Sequence, residues 1–109
     1  MICSRTDGRR PRTWEIKIAP RWFEGILDGW KRYELRKMER DYREGDWLVL
    51  QEWAGDYTGR AISARITSVQ QGRDVPGLQD GYGILSIEPQ KYYSGVTHLG
   101  FTEERTTER

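Results

Sequence analysis

The reactive side chains of this sequence are concentrated in one octad, Gly29-Trp30-Lys31-Arg32-Tyr33-Glu34-Leu35-Arg36. Lys31 and Arg36 can clamp an anion, Arg36 with a two-pronged guanidinium fork. Glu34 lies between them. It can accept hydrogen bonds from a nucleobase or, in an enzyme, move a proton as general acid or base. A Lys31 buried away from carboxylates could serve as base or nucleophile, whereas one paired with Glu34 is a clamp. The plainer alternative is a surface ion pair worth under ~1 kcal/mol. Trp53, Tyr57 and Arg60 form a second group, flanking what reads as a hairpin tip. Exposed aromatics beside a cation can stack a base, an interaction worth ~1–3 kcal/mol. Equally, Trp53 could close the end of a barrel.

Other chemistries are excluded by residue count. His98 is the single histidine and Cys3 the single cysteine, so neither a nucleophile–histidine pair nor a zinc site can be assembled. There is no P-loop and no Gly-x-Gly-x-x-Gly. No cofactor or metal is expected. The carboxylates are many but scattered.

The octad must be held by short elements. Trp14 to Ala19 alternates apolar with polar, which predicts a strand with Trp14, Ile16 and Ile18 inward. Pro20 suits a first helical position. Trp22, Phe23, Ile26, Leu27 and Trp30 then recur at helical spacing, an aromatic stripe read as core, with a stop near Gly29. Tyr33 to Met38 alternates again, putting Tyr33 and Leu35 on one face and Glu34 and Arg36 on the other. Asp46 to Trp53 is a strong strand. Residues 54–59 read as its hairpin loop and Arg60 to Val69 as the return strand. Residues 70–81 read as a loop, and Tyr82 to Ile87 as a last strand ended by Pro89. Five short strands with one helix after the first predict a mainly β (α+β) fold: a small five- to six-stranded barrel over residues 13–89. A flexible basic arm over 1–12 and a polar extension over 90–109 flank it.

The order strand, helix, octad, strand resembles the ASCH domains, relatives of the PUA RNA-binding barrel. The octad is similar to the ASCH signature, and Arg43-Glu44-Gly45-Asp46-Trp47-Leu48-Val49-Leu50 resembles the family's Gly-Asp strand. Glu52-Trp53, Tyr57-Thr58-Gly59-Arg60 and Gly81-Tyr82-Gly83-Ile84-Leu85-Ser86-Ile87 are similar to an uncharacterised subfamily often carried by phages and mobile elements. The resemblance covers residues 14–88. It implies a PUA-like barrel with a cleft lined by the octad's polar side chains. In the ASCH-like cytidine amidohydrolases the position matching Lys31 is a catalytic lysine, and the position matching Glu34 is a threonine thought to attack the acyl group. A carboxylate does not replace that nucleophile. Those enzymes also use a later carboxylate, for which Asp74 and Asp80 are the candidates here.

Charge adds a direction. Residues 1–43 carry 12 Lys/Arg against 7 Asp/Glu, and residues 44–109 carry 6 against 10. A basic first half points to an anionic partner, most commonly nucleic acid. One cysteine and no apolar leader or span predict a cytoplasmic protein with no membrane partner. The leading expectation is therefore a binding module for RNA, a nucleotide or a modified base, with Lys31, Glu34, Arg36, Trp53, Tyr57 and Arg60 as ligand contacts. A small hydrolase of a modified nucleoside, or a ribonuclease, would use Lys31 and Glu34 catalytically. A phage-type accessory protein binding a host protein would instead use apolar residues such as Tyr92, Tyr93, Val96, Leu99 and Phe101.

Overall fold

The computed structural model describes residues 9–95. Five strands form one sheet: β1 (Thr13–Ile18), β2 (Tyr33–Lys37), β3 (Trp47–Trp53), β4 (Tyr57–Gln71) and β5 (Tyr82–Tyr93), in the order β1-β3-β4-β5-β2. The β1–β3 pair is parallel and the rest are antiparallel. Helix α1 (Pro20–Asp28) follows β1, as expected. The sheet curls into a half-barrel whose edges are β1 and β2. These edges carry no ladder. Instead, Arg36 Nη2 donates to Lys17 O (2.7 Å) and Arg40 Nη1 to Glu15 O (2.9 Å), so arginine side chains span the seam.

The concave face holds the core. Ile16 and Ile18 of β1, Leu48 and Leu50 of β3, Ile62, Ala64 and Ile66 of β4, and Leu85 and Ile87 of β5 pack with Phe23 and Ile26 of α1. All the strand residues are even-numbered on β1, β3 and β4, as a pleat requires for one face. Pro20 opens α1, and Gly29 closes it at φ 89°, its N–H donating to Gly25 O and Ile26 O. Only a glycine takes that left-handed turn without strain. Trp30 folds back over Gly25, where a Cβ would stand 2.6 Å from the indole. Gly25→Ala is therefore expected to dislodge Trp30 and lower stability by about 1–3 kcal/mol. Near-ultraviolet circular dichroism would show it as a weakened signal from the Trp22–Trp30 edge-to-face pair, whose ring centres lie 6.3 Å apart.

Several boundaries move. β4 starts at Tyr57 and ends at Gln71, so the hairpin turn is shorter than the alternation suggested, and Gly72–Asp74 forms a single 3-10 turn. β5 runs through Pro89 to Tyr93. A proline tolerates this because the β4–β5 register shifts between Ser63 and Ala64, a bulge where a ladder donor is not required. The aromatic stripe of α1 is only partly core. Phe23 and Ile26 are buried, while Trp22, Leu27 and Trp30 are substantially exposed.

The last four residues of the basic arm, 9–12, are docked. Arg9 donates through both Nη atoms to the Asp46 carboxylate, each at 3.0 Å, and to Asp41 O. Asp46 is buried and also accepts from Arg12 N, Trp14 Nε1 and Arg43 N. The remainder of the arm and of the extension, including Val96, His98, Leu99 and Phe101, lies outside the described residues. Among the described residues no helix is long and apolar enough to cross a membrane.

Candidate functional site

Turning the chain at Gly29 delivers Lys31 beneath the end of α1, and β2 then alternates. The alternation is inverted relative to hydropathy. Tyr33 and Leu35 face solvent, 42% and 50% exposed, while Glu34 is buried on the concave side. Lys31 Nζ lies 2.9 Å from Glu34 Oε1 and also donates to Tyr33 O. Its ammonium sits 4.5 Å from the centre of the Tyr33 ring and 5.9 Å from that of Trp22, within cation–π range. The other carboxylate oxygen, Glu34 Oε2, is 3.3 Å from Arg36 Nε, although not in hydrogen-bonding geometry. Lys31, Glu34 and Arg36 thus form a continuous charged row, the first two buried and the third part-exposed.

Two recesses open on this row. A cavity of about 230 Å³ is lined by Trp22, Lys31, Tyr33, Glu34 and Leu35. Its walls are apolar and its floor is the Lys31–Glu34 pair. That is the composition of a small-ligand site, in which a few convergent polar groups orient a ligand held by apolar walls. A larger groove of about 810 Å³ follows the open seam between β1 and β2. It includes Trp14, Glu15, Lys17, Arg36, Arg40 and Tyr57 in its lining.

The second predicted group divides. Trp53 and Tyr57 meet edge to face at 4.9 Å, and Lys17 Nζ stands 3.9 Å over the Trp53 ring. Tyr57 reaches the seam groove. Arg60 lines neither recess. The β3–β4 register shifts between Gln51 and Trp53, and Glu52 is buried at that bulge. Arg60 holds it through Nε (2.8 Å) and Nη2 (2.9 Å), Thr58 Oγ1 adds a third bond, and Arg60 Nη2 also reaches Glu24 of α1. The Arg60 hydrogen bonds hold the Glu52 carboxyl below its ordinary value against the opposing effect of burial, and Glu52 in turn pushes the Arg60 guanidinium up. Arg60 therefore ties the helix to the hairpin. Arg60→Ala is expected to cost about 1.5–3 kcal/mol in chemical denaturation and to leave ligand affinity unchanged. A selective loss of binding without loss of stability would return Arg60 to the site.

Asp74 and Asp80 are exposed and line neither recess, so among the described residues Glu34 is the one carboxylate in the cavity lining. Sequence reasoning overlooked Trp22 as a cavity wall, because its helical spacing matched that of core residues. It also overlooked Lys17 and Arg40 in the groove. The signal was present for Lys17, a cation on the polar face of an edge strand. It was absent for Arg40, which lies outside any regular element.

Fold and site together define a small, mainly β domain with a charged, aromatic-walled cleft beside an open barrel seam. The chain belongs to the family described as a domain of unknown function, DUF3850, whose profile matches residues 13–87, from the first residue of β1 into β5. It is also 48% identical over 56 residues to an uncharacterised 12.9 kDa protein in the GpA 3′ region of Escherichia phage P2. That stretch is 50% of this chain and 51% of the phage protein, so the chain spans about half the length of the curated relative it matches. The family is thus uncharacterised and phage-related, in line with the phage-borne subfamily resembled by the sequence.

Proposed function

We propose that the chain is a binding module for a nucleotide or modified base, free or within RNA, and that the base enters the cavity between Trp22 and Tyr33. The observation that carries this reading is the buried Lys31–Glu34 pair on the floor of an apolar-walled cavity. Burying both charges costs desolvation that a purely structural position could avoid with apolar residues. A cavity of about 230 Å³ suits one planar heterocycle rather than a whole nucleotide. Glu34 accepts from base N–H groups, Lys31 donates to a base carbonyl, and Arg36, part-exposed at the end of the row, takes the phosphate. The ASCH-like order of elements supports the same cleft, although fold likeness does not choose an activity.

Titration with nucleosides, nucleotides and acylated or methylated cytidines, followed by chromatography of each mixture, tests the reading. Wild type should bind at least one of them saturably, and Trp22→Ala should weaken that affinity by about tenfold, the scale of removing one ring from a base stack. Silence across the panel would remove the base-binding assignment. A product peak would make the cleft catalytic, with Lys31 and Glu34 as its reacting groups. Otherwise Lys31 acts as the donor it is in the structure, committed to Tyr33 O and Glu34 Oε1.

A further inference from the structure

The seam groove shares no lining residue with the octad cavity. Four cations line it, Lys17, Arg36, Lys37 and Arg40, against two carboxylates, Glu15 and Glu39. Both carboxylates are engaged. Glu15 Oε1 accepts from Gln51 Nε2 at 3.3 Å, and Glu39 pairs with Lys37 at 3.7 Å. Lys17 and Arg40 have no carboxylate within ion-pair distance among the described residues. Lys17 rests on the Trp53 ring, and Arg40 lies 5.8 Å from the centre of the Trp14 ring while donating to Glu15 O. Arg36 donates to Lys17 O. The seam is therefore bridged by guanidiniums bound to neutral carbonyls, with Arg36 Nε also 3.3 Å from Glu34 Oε2.

A phosphate offers a guanidinium a full negative charge and a two-pronged acceptor, neither of which a backbone carbonyl supplies. An anion entering the groove would accordingly draw Arg36 and Arg40 off the edge of β1. The two acceptors, Glu15 O and Lys17 O, are two residues apart on a strand, about 6.6 Å. That spacing is comparable to the step between successive phosphates of an extended single strand. We propose that the groove binds the backbone of single-stranded nucleic acid, with Arg36 and Arg40 exchanging β1 carbonyls for adjacent phosphates, Lys17 adding a further cation and Tyr57 offering a stacking face. This rests on the nucleotide-binding reading above and extends it from one base to a strand. A peptide adding to the β1 edge is the less suited occupant. It would have to displace the same arginines from the same carbonyls without offering them a charge.

The test is fluorescence anisotropy with a labelled oligonucleotide of about six nucleotides, a length within the range such grooves accommodate. Binding is followed across a salt series for wild type and the double variant Lys17→Gln/Arg40→Gln. The double variant should bind at least tenfold more weakly, and its salt slope should be shallower by about 0.7 for each phosphate it no longer neutralises. Thermal denaturation of both proteins checks that the variant remains folded. Should it not, Arg40→Lys, which keeps the charge but not the fork, is expected to bind more weakly than wild type with the same salt slope. Equal affinity and equal slope overturn the proposal. So does a wild-type oligonucleotide affinity no tighter than that for the mononucleotide, or an acidic peptide that binds the groove where the oligonucleotide does not. Failure here with nucleotide binding intact rejects the groove alone. Oligonucleotide binding that survives Trp22→Ala with no nucleotide binding rejects the cavity alone.

Discussion

Asp46→Ala is expected to destabilise the domain by about 3–5 kcal/mol, the range for removing one partner of a buried ion pair. The carboxylate is 1% exposed and accepts hydrogen bonds from both Nη atoms of Arg9, two backbone N–H groups and the Trp14 indole. Removing it strands all of these donors and releases the segment from Arg9 to Arg12 that leads into β1. Trp47 N also donates to Arg12 O, so the disruption should spread to the start of the β1–β3 pairing. Burial alone would raise the Asp46 carboxyl, but the bonds from Arg9, Arg12 N, Trp14 and Arg43 N outweigh it and hold it below the ordinary 3.8. The unfolded chain therefore takes up this proton first as pH falls. The contribution is complete above the unfolded value and is lost as pH falls through the lower folded value. Glu52 is shifted in the same direction, chiefly by Arg60, and adds to the loss over the same acid window. Urea unfolding of wild type and Asp46→Asn across that window measures the effect, and the two stability curves should converge at the acid end. An Asp46→Ala protein within about 1 kcal/mol of wild type would mean that the Arg9–Asp46 anchor does not form in solution.

The second large effect separates a binding row from a structural one. Glu34→Ala should cost about 3–5 kcal/mol, because Lys31 is left buried without its counter-charge and Arg36 Nε loses its neighbour. Lys31→Met/Glu34→Leu removes both charges and keeps the volume, so its stability should return to near or above that of wild type. Its affinity for any nucleotide or modified base should be abolished. Stability recovered with affinity retained would show that the pair is not a recognition element. Stability that is not recovered would mean that the row, including Arg36, is itself required to hold β2 in place. Calorimetric titration and denaturant unfolding on the same two variants give both readings.

Physical periodicity led to the element order that the structure has. It did so because β1 alternates apolar with polar, because β3 is a short run apolar on both faces at its centre, and because α1 is bracketed by Pro20 and Gly29. The ends of β4 and β5 were less legible. A strand past Pro89 is allowed only where the neighbouring ladder bulges, and a bulge is a relation between two strands that neither sequence segment states. The site was partly legible. Lys31, Glu34 and Arg36 fall within one short segment, so spacing alone places them together. Arg60, by contrast, read as a ligand contact because it follows Trp53 and Tyr57 at the hairpin, and its pairing with Glu24, 36 residues away in sequence, left no local signal.

By itself the sequence determined a mainly β domain with one helix after the first strand and a charged octad at the head of β2. Local periodicity, turn residues and composition carry that information, because each acts over a few residues. Only the tertiary structure decided which side of β2 faces inward. Tyr33 and Leu35 are apolar and would be placed in the core by hydropathy, yet the pairing of β2 with β5 turns Glu34 inward and leaves both apolar side chains at the surface. The inversion is sustained because Glu34 finds Lys31 and Arg36 beside it, and a buried charge is tolerated only where its partners are already in place. The open seam was decided the same way. Whether β1 and β2 meet as a ladder or across arginine side chains depends on the curl of the whole sheet, to which every strand contributes.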